Sequence, residues 1–440
     1  MTNDPNAIRG RAVLLTTLAV FAAVGVGPAE ADGPGVADCS ATHWVGSWAA
    51  SPSDALGAFD PALQPIFSVG EQSYRIVVTP HRGGGQVRIR LTNRFRSLPL
   101  TVGHATIADR AAGAEVDAAS MRPITFAGQA GVTLAPGAEI LSDPIEFGAT
   151  AWEPIAVSVY LPGAAPFLTE HFNGNATSYY TAPGAGDTTG DSAGAVFSLT
   201  TTAVPLVSTL DVSASGDASA VVALGDSITD GYVSANYIGI PQNPTLPDTN
   251  ARYPDFLQHR LDTAGIPLTV LNAGISGNAL ADDGMLPVFG PSAVSRAAAD
   301  VLSQSAVSDV ILLEGINDLD SPAGADYDRL IATYINIITR LKAAGLRVHL
   351  GTLMPAGGSL LGSTIAPRQN PIRLRINDWI RTQHLSDTVI DFAAAVQDPA
   401  DPNALDPRFA GPDKLHPNLT GYRAMADAID ISTLGGKACG

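Results

Sequence analysis

Asp413-Lys414-Leu415-His416 sets a carboxylate three residues before an imidazole. In a turn, that spacing lets Asp413 reach the ring of His416, hold its tautomer and stabilise the imidazolium. An imidazole titrates near neutrality, so such a ring can take a proton from a hydroxyl and give it back. Ser227, within Gly225-Asp226-Ser227-Ile228-Thr229, is the candidate hydroxyl. Serine is a poor nucleophile until a base removes its proton. Attack on a carbonyl then builds an oxyanion, which needs fixed donors. Three are available: the backbone N–H of Ser227, the N–H of Gly277 in Asn272-Ala273-Gly274-Ile275-Ser276-Gly277-Asn278, and the side-chain amide of Asn317 in Glu314-Gly315-Ile316-Asn317-Asp318. The chemistry these residues describe is acyl transfer by serine, with no metal and no cofactor.

Four stretches so far apart must be carried to one place by regular elements. After about residue 215 the pattern alternates strand and helix. Strand candidates are Val221–Leu224, Thr269–Asn272, Val310–Leu313, Val348–Leu353 and Val389–Asp391. A helix starts near Pro254 and stops at Gly265, and another spans Tyr327 to Ala344, with Leu330, Ile331, Tyr334, Ile335, Ile338 and Leu341 at helical spacing. Two more begin at Pro371 and after Pro417. Such alternation predicts a three-layer α/β/α domain around a parallel sheet, over 216–440. In such sheets ligands bind outside the carboxyl ends of the strands. The candidate groups follow strand ends or, for His416, precede the last helix.

The stretch before residue 215 reads differently. Gln86-Val87-Arg88-Ile89-Arg90-Leu91-Thr92 alternates polar and apolar, and similar runs occur at Tyr74–Thr79, Leu100–Ala108, Ile155–Leu161, Val196–Thr200 and Val204–Val212. Period two with Gly, Pro and Asp between the runs predicts an antiparallel β-sandwich over 40–215, joined by the small polar linker Ser213–Ser219. Arg88 and Arg90 then read as a solvated strand face.

Composition and the chain start bound the setting. Of 440 residues 45% are hydrophobic and 15% charged, and 25 Lys+Arg against 42 Asp+Glu give −17. So acidic a chain repels phosphate backbones, which argues against nucleic-acid partners. Arg9 and Arg11 precede the apolar run Ala12–Gly27, which ends in Ala29-Glu30-Ala31. This is the pattern of a secretory signal peptide over 1–31, and no later stretch is long enough to span a membrane. Secretion favours a disulfide between the two cysteines, Cys39 and Cys439. The scattered histidines His43, His81, His104, His171, His259, His349 and His384 lack ligand-like spacing and read as structural.

The four blocks around Ser227, Gly277, Asn317 and Asp413/His416, in that order, resemble the SGNH (GDSL) hydrolase family over roughly 218–438. The resemblance implies Ser227 as nucleophile, Gly277 and Asn317 as oxyanion residues, and Asp413 and His416 as the rest of a catalytic triad. Ile228 stands where the short motif name has Leu. The N-terminal half, with Trp44-Val45-Gly46-Ser47-Trp48, looks like the jelly-roll-like β domain of a subgroup of secreted bacterial esterases, and its Trp-bearing start is expected to pack on the hydrolase rather than in the sandwich.

The expected substrate is a small-molecule or polymer carboxylic ester, with short acyl groups favoured. Tyr232–Asn250 and Pro355–Asn370, the expected pocket rims, lack long apolar runs. An alternative is a polysaccharide O-acetyl deacetylase that uses the β domain as a sugar-binding platform. Another, of a different class, is a non-catalytic secreted adhesion protein. Transfer of the acyl group to an alcohol would use the same residues. Gly190-Asp191-Ser192-Ala193-Gly194 also fits a Gly-x-Ser-x-Gly pattern, but that motif works only between a strand and a helix, so Ser192 reads as a hairpin residue.

Overall fold

The computed structural model describes residues 42–54, 70–234, 247–283, 286–319, 326–359 and 370–435. The segment read as a signal peptide, Cys39 and Cys439 lie outside the described residues, as do most of the two expected rim segments.

The alternating runs of the N-terminal half form antiparallel strands. In one sheet the order is His43–Ala49, Val207–Ala214, Gly84–Thr92 and Glu139–Leu141, with Ile145–Ala149 also paired to Gly84–Thr92. A second runs Leu199–Thr201, Ser178–Tyr180, Gln72–Val78, Ile155–Leu161, His104–Ala112 and Glu115–Val116. Val87, Ile89 and Leu91 of the first sheet share a buried cluster with Tyr74, Ile76 and Val78 of the second. The period-two pattern puts these residues inward. The run expected at Val196–Thr200 is a strand only at Leu199–Thr201; Phe197 instead lies under the guanidinium of Arg75, at 4.0 Å.

The C-terminal half holds a five-stranded parallel sheet. In chain order its strands are Ser219–Gly225, Leu268–Gly274, Val307–Leu313, Arg347–Gly351 and Thr388–Ile390, and in space they run second, first, third, fourth, fifth. The chain reverses direction across the sheet beside the first strand, which opens a crevice at its carboxyl end. The helices Tyr253–Ala264, Tyr327–Ala343, Asn370–Thr382 and Leu419–Asp427 lie within a few residues of the predicted ones. Leu330, Tyr334, Ile338 and Leu341 are buried as the spacing required, while Ile335 is exposed.

The expected linker is almost absent. One strand ends at Ala214, the next begins at Ser219, and Ala218 N–H closes the turn onto Ser215 O. A single hydrophobic cluster runs from Val45 to Leu434 through both halves. The Trp-bearing strand His43–Ala49 does both jobs rather than one. It pairs with Val207–Ala214 inside the β sheet, and Gly46 N–H donates to Ser305 O of the α/β half.

Arg88 and Arg90 are not a solvated face. Arg88 Nε meets Asp211 Oδ2 at 2.8 Å and its Nη2 meets Ser305 Oγ at 2.9 Å, while Arg90 donates to Ser303 Oγ and O, both at 2.8 Å. Arg94 adds an ion pair to Asp300 at 2.6 Å. Alternation locates the polar face of a strand but cannot say whether water or another half of the molecule covers it.

Two β-domain side chains also reach the outer strand Leu268–Gly274. His81 Nδ1 donates to Val270 O at 2.7 Å, and Arg82 Nε donates to Thr269 Oγ1 at 2.9 Å. Such contacts blunt a sheet edge that would otherwise offer free backbone groups. The other nitrogen of His81 lies 3.2 Å from Asp255, which Arg252 also grips at 2.8 Å. Burial pushes the Asp255 carboxyl up, but the charge of Arg252 and the bonds from His81 and Arg252 outweigh it and hold the pKa far below the carboxylate range. Asp255→Asn should therefore lower stability by about 3–5 kcal/mol at pH 7, because it leaves a buried guanidinium without its partner. The gap from the parent should begin to narrow below the ordinary carboxylate pKa of about 4, where the unfolded chain takes up the proton first, and should be lost only as the pH falls through the much lower folded value. Urea melts of both proteins at pH 7 and pH 3.5 measure this.

Candidate active site

The first parallel strand ends at Gly225, and the chain turns at once into the short helix Ser227–Asp230. Asp226 caps it, its carboxylate accepting Ile228 N–H at 2.9 Å. Gly225 is fixed by space: an added Cβ would lie 2.0 Å from Thr229 Oγ1 and 2.6 Å from Leu313 O. The turn presents Ser227 at the sheet's carboxyl edge, and as the first helical residue its N–H has no acceptor within the helix.

His416 comes from the loop before the last helix. Asp413 Oδ1 accepts the N–H groups of Leu415 and His416 at 3.1 and 3.0 Å, which fastens the turn, and Oδ2 accepts His416 Nδ1–H at 2.6 Å. With Nδ1 committed as donor, Nε2 is left as acceptor, and Ser227 Oγ lies 2.8 Å from it. Burial pushes Asp413 up, but the hydrogen bond and charge of His416 and the backbone N–H groups outweigh it and keep the carboxyl below its usual range. All three residues are buried. Tyr232 packs its ring 4.6 Å from that of His416.

Gly277 sits in a tight turn at φ +80°, closed by Asn278 N–H on Ile275 O at 3.0 Å. Asn317 Nδ2 donates to Asn278 O at 2.6 Å, so one of its two N–H bonds ties it to that turn and the other is left over. Asp230 Oδ2, from the Ser227 helix, accepts both the N–H and the hydroxyl of Ser276. The blocks of Ser227, Gly277 and Asn317 are thus bonded to one another, and His416 is bonded to Ser227. Ser192 stands apart, in the loop before Leu199–Thr201, where its carbonyl accepts Val116 N–H.

Several supporting residues were not found from sequence. Arg296 is buried and spends its donors on Asn278 Oδ1, Ala273 O, Asp300 and Gly225 O, so it pins the carboxyl ends of the first two strands. Asn278 donates in turn to Phe289 O and Pro291 O, both at 2.7 Å. The i,i+4 spacing of Arg296 and Asp300 was visible, but its burial was not. Behind the turn, burial pushes the Asp226 carboxyl up to about 7, and burial together with Asp226 holds Glu314 well above the carboxylate range. Two of the histidines expected to be structural, His81 and His349, are buried beside Asp255 and Asp309. His171 is likewise buried beside a carboxylate, here Asp230 of the site helix.

Residues 223–424 match the model of the GDSL-like lipase/acylhydrolase family. This stretch is a GDSL-like lipase/acylhydrolase domain. The match over this stretch supports a carboxylic-ester hydrolase. Solved structures that the chain is similar to include a GDSL-like lipase from Bacteroides thetaiotaomicron, at 22% identity and a TM-score of 0.34, covering 49% of this chain and 87% of that one. An aryl esterase from M. smegmatis is 17% identical, with a TM-score of 0.40 over 48% of this chain and 96% of that one. A family two carbohydrate esterase from Clostridium thermocellum is 12% identical, with a TM-score of 0.37 over 88% of this chain and 93% of that one. No curated protein matches the chain. No helix among the described residues is long and apolar enough to cross a membrane.

A Cβ on residue 277 would lie 2.4 Å from Phe289 Cδ1, in a backbone conformation that side chains avoid. Gly277→Ala should therefore shift the turn at a strain cost of about 1–3 kcal/mol and lower kcat roughly 10- to 100-fold, with the fold kept. Steady-state kinetics beside a circular dichroism melt test this; parent-like kcat would free the turn from any part in turnover.

Proposed function

We propose that the chain is a secreted serine esterase in which Ser227, His416 and Asp413 form the catalytic triad, and the N–H groups of Ser227 and Gly277 with the Asn317 amide form the oxyanion hole. One observation carries the reading: the 2.8 Å contact from Ser227 Oγ to His416 Nε2, continued by the 2.6 Å contact from His416 Nδ1 to Asp413.

In the first half-reaction the Ser227 proton passes to His416 Nε2 as Oγ bonds to the ester carbonyl carbon. The C=O electron pair moves to oxygen, where the donors meet it. Collapse of this intermediate breaks the ester C–O bond, and His416 returns its proton to the leaving alcohol. Water then gives a proton to His416 and attacks the acyl-serine, which releases the acid and restores Ser227. Asp413 stays ionised throughout and balances the imidazolium. The low pKa of Asp413 suits that task.

Short acyl esters are the proposed substrates, on the composition of the rim segments. Secretion rests on the N-terminal sequence pattern, and the Cys39–Cys439 bridge rests on secretion. The family two carbohydrate esterase was solved with cellohexaose, so acetylated sugars belong in the substrate panel beside p-nitrophenyl esters of graded chain length.

Ser227→Ala should lower kcat by about 10⁴-fold or more in a folded protein. Parent-like turnover would sink the assignment. Asn317→Ala should cost about 10²–10³ in kcat, and an unchanged rate removes Asn317 from the oxyanion hole. Rates should fall in acid, because a protonated imidazole cannot accept the serine proton.

A further inference from the structure

Among the described residues, one stretch of the β half, 171–175, bonds directly to the site elements. His171 ends the strand Thr169–His171 and is 3% exposed. Its Nε2 lies 3.1 Å from Asp230 Oδ1, and its Nδ1 lies 2.9 Å from Ser51 O. Asn173 Nδ2 meets Ser276 Oγ at 3.5 Å, and Asn175 Nδ2 donates to the carbonyls of Asp230 and Gly231 at 3.2 and 3.4 Å. Three side chains from residues 171–175 thus hold both the Ser227 helix and the turn that carries Gly277.

The ring of His171 faces an acceptor on each side. A backbone carbonyl oxygen can only accept, and so can a carboxylate. A neutral imidazole has one N–H and would turn a lone pair toward one of them. Only the imidazolium satisfies both. The carboxylate it faces is the one whose other oxygen accepts Ser276 N–H at 2.9 Å and Ser276 Oγ–H at 2.5 Å.

We propose that His171 is held as an imidazolium and acts as a positioning residue: its Nε2–H anchors Asp230, and Asp230 fixes the Ser276-Gly277 turn against the Ser227 helix. This deepens the oxyanion-hole reading above and rests on it. The β half is then part of the catalytic apparatus, although it places no group on the substrate.

The charges around the ring agree. Burial pushes the His171 pKa down, but the charge of Asp230 and the bonds to Asp230 and Ser51 outweigh it and hold the ring above its ordinary value, against the opposing charge of Arg252. Glu170, its neighbour in the chain, is also buried. The sign follows. A raised folded pKa gives a contribution present at low pH and lost as pH rises through the folded value. Past that point Asp230 faces a neutral ring and the turn loosens.

The test compares the full-length parent with His171→Gln, by steady-state kinetics on a p-nitrophenyl ester from pH 6 to 10 and by the rate of Ser227 labelling with an organophosphate. The parent should lose kcat as His171 gives up its proton on the alkaline side. The variant should have kcat lower by about tenfold at pH 7.5, with KM changed less than twofold. Its pH profile should lack the parent's alkaline fall, because the ring that titrates there is gone. Equal kcat and equal pH profiles overturn the proposal. If His171→Gln does not fold, Ser276→Ala decides. It trims one hydroxyl and should slow Ser227 labelling by about threefold or more, and an unchanged rate overturns the proposal. A folded parent that fails to label at Ser227 overturns the triad reading, and this one with it.

Discussion

A serine hydroxyl keeps its proton near neutrality unless a base sits within hydrogen-bond distance and is itself held in one tautomer. Here that condition depends on two contacts, Ser227 Oγ to His416 Nε2 and His416 Nδ1 to Asp413. The second is local, spanning three residues in one turn. The first closes a separation of 189 residues. Nothing local can set that distance to 2.8 Å, so the parallel sheet must do it. The first strand delivers Ser227 at its carboxyl end, and the loop before the last helix brings His416 back over the same edge.

The second constraint concerns the turn that carries Gly277, the proposed oxyanion turn. Four elements hold it: Asn317 bonds to Asn278 O, Arg296 bonds to Asn278 Oδ1, Asn278 bonds to Phe289 O, and Asp230 bonds to Ser276. Asn278, Arg296, Asp230 and Ser276 are buried and Asn317 is half-buried, and a buried polar group left without a partner is costly. The turn therefore has few alternative positions in which its donors and acceptors are all satisfied. Rigidity at such a place is useful, because donors that are already oriented need no reorganisation as charge develops.

The β half is bound to the hydrolase half by more than apolar packing. Arg88, Arg90 and Arg94 reach the segment 300–305, His81 and Arg82 reach the outer parallel strand, and His171 reaches the Ser227 helix. One hydrophobic cluster passes between the halves, and only the turn Ser215–Ala218 separates their strands. Halves joined so firmly are expected to move as one body rather than as beads on a linker.

The order of the motifs, the change of period near residue 215 and the Asp-x-x-His spacing were legible in the sequence, because each is a local property. Period two reports which side of a strand is buried, and three-residue spacing in a turn brings a carboxylate to an imidazole whatever lies around it. Ser227, Gly277, Asn317, Asp413 and His416 could be named on those grounds. Their mutual distances could not, nor could the roles of Arg296, Asn278 and His171, whose residue types are common on any surface. Arg88 and Arg90 show the reason. A polar residue on a strand's outer face has the same sequence signature whether it meets water or the other half of the chain. The difference is made by desolvation and by partners hundreds of positions away, which exist only once the chain has folded.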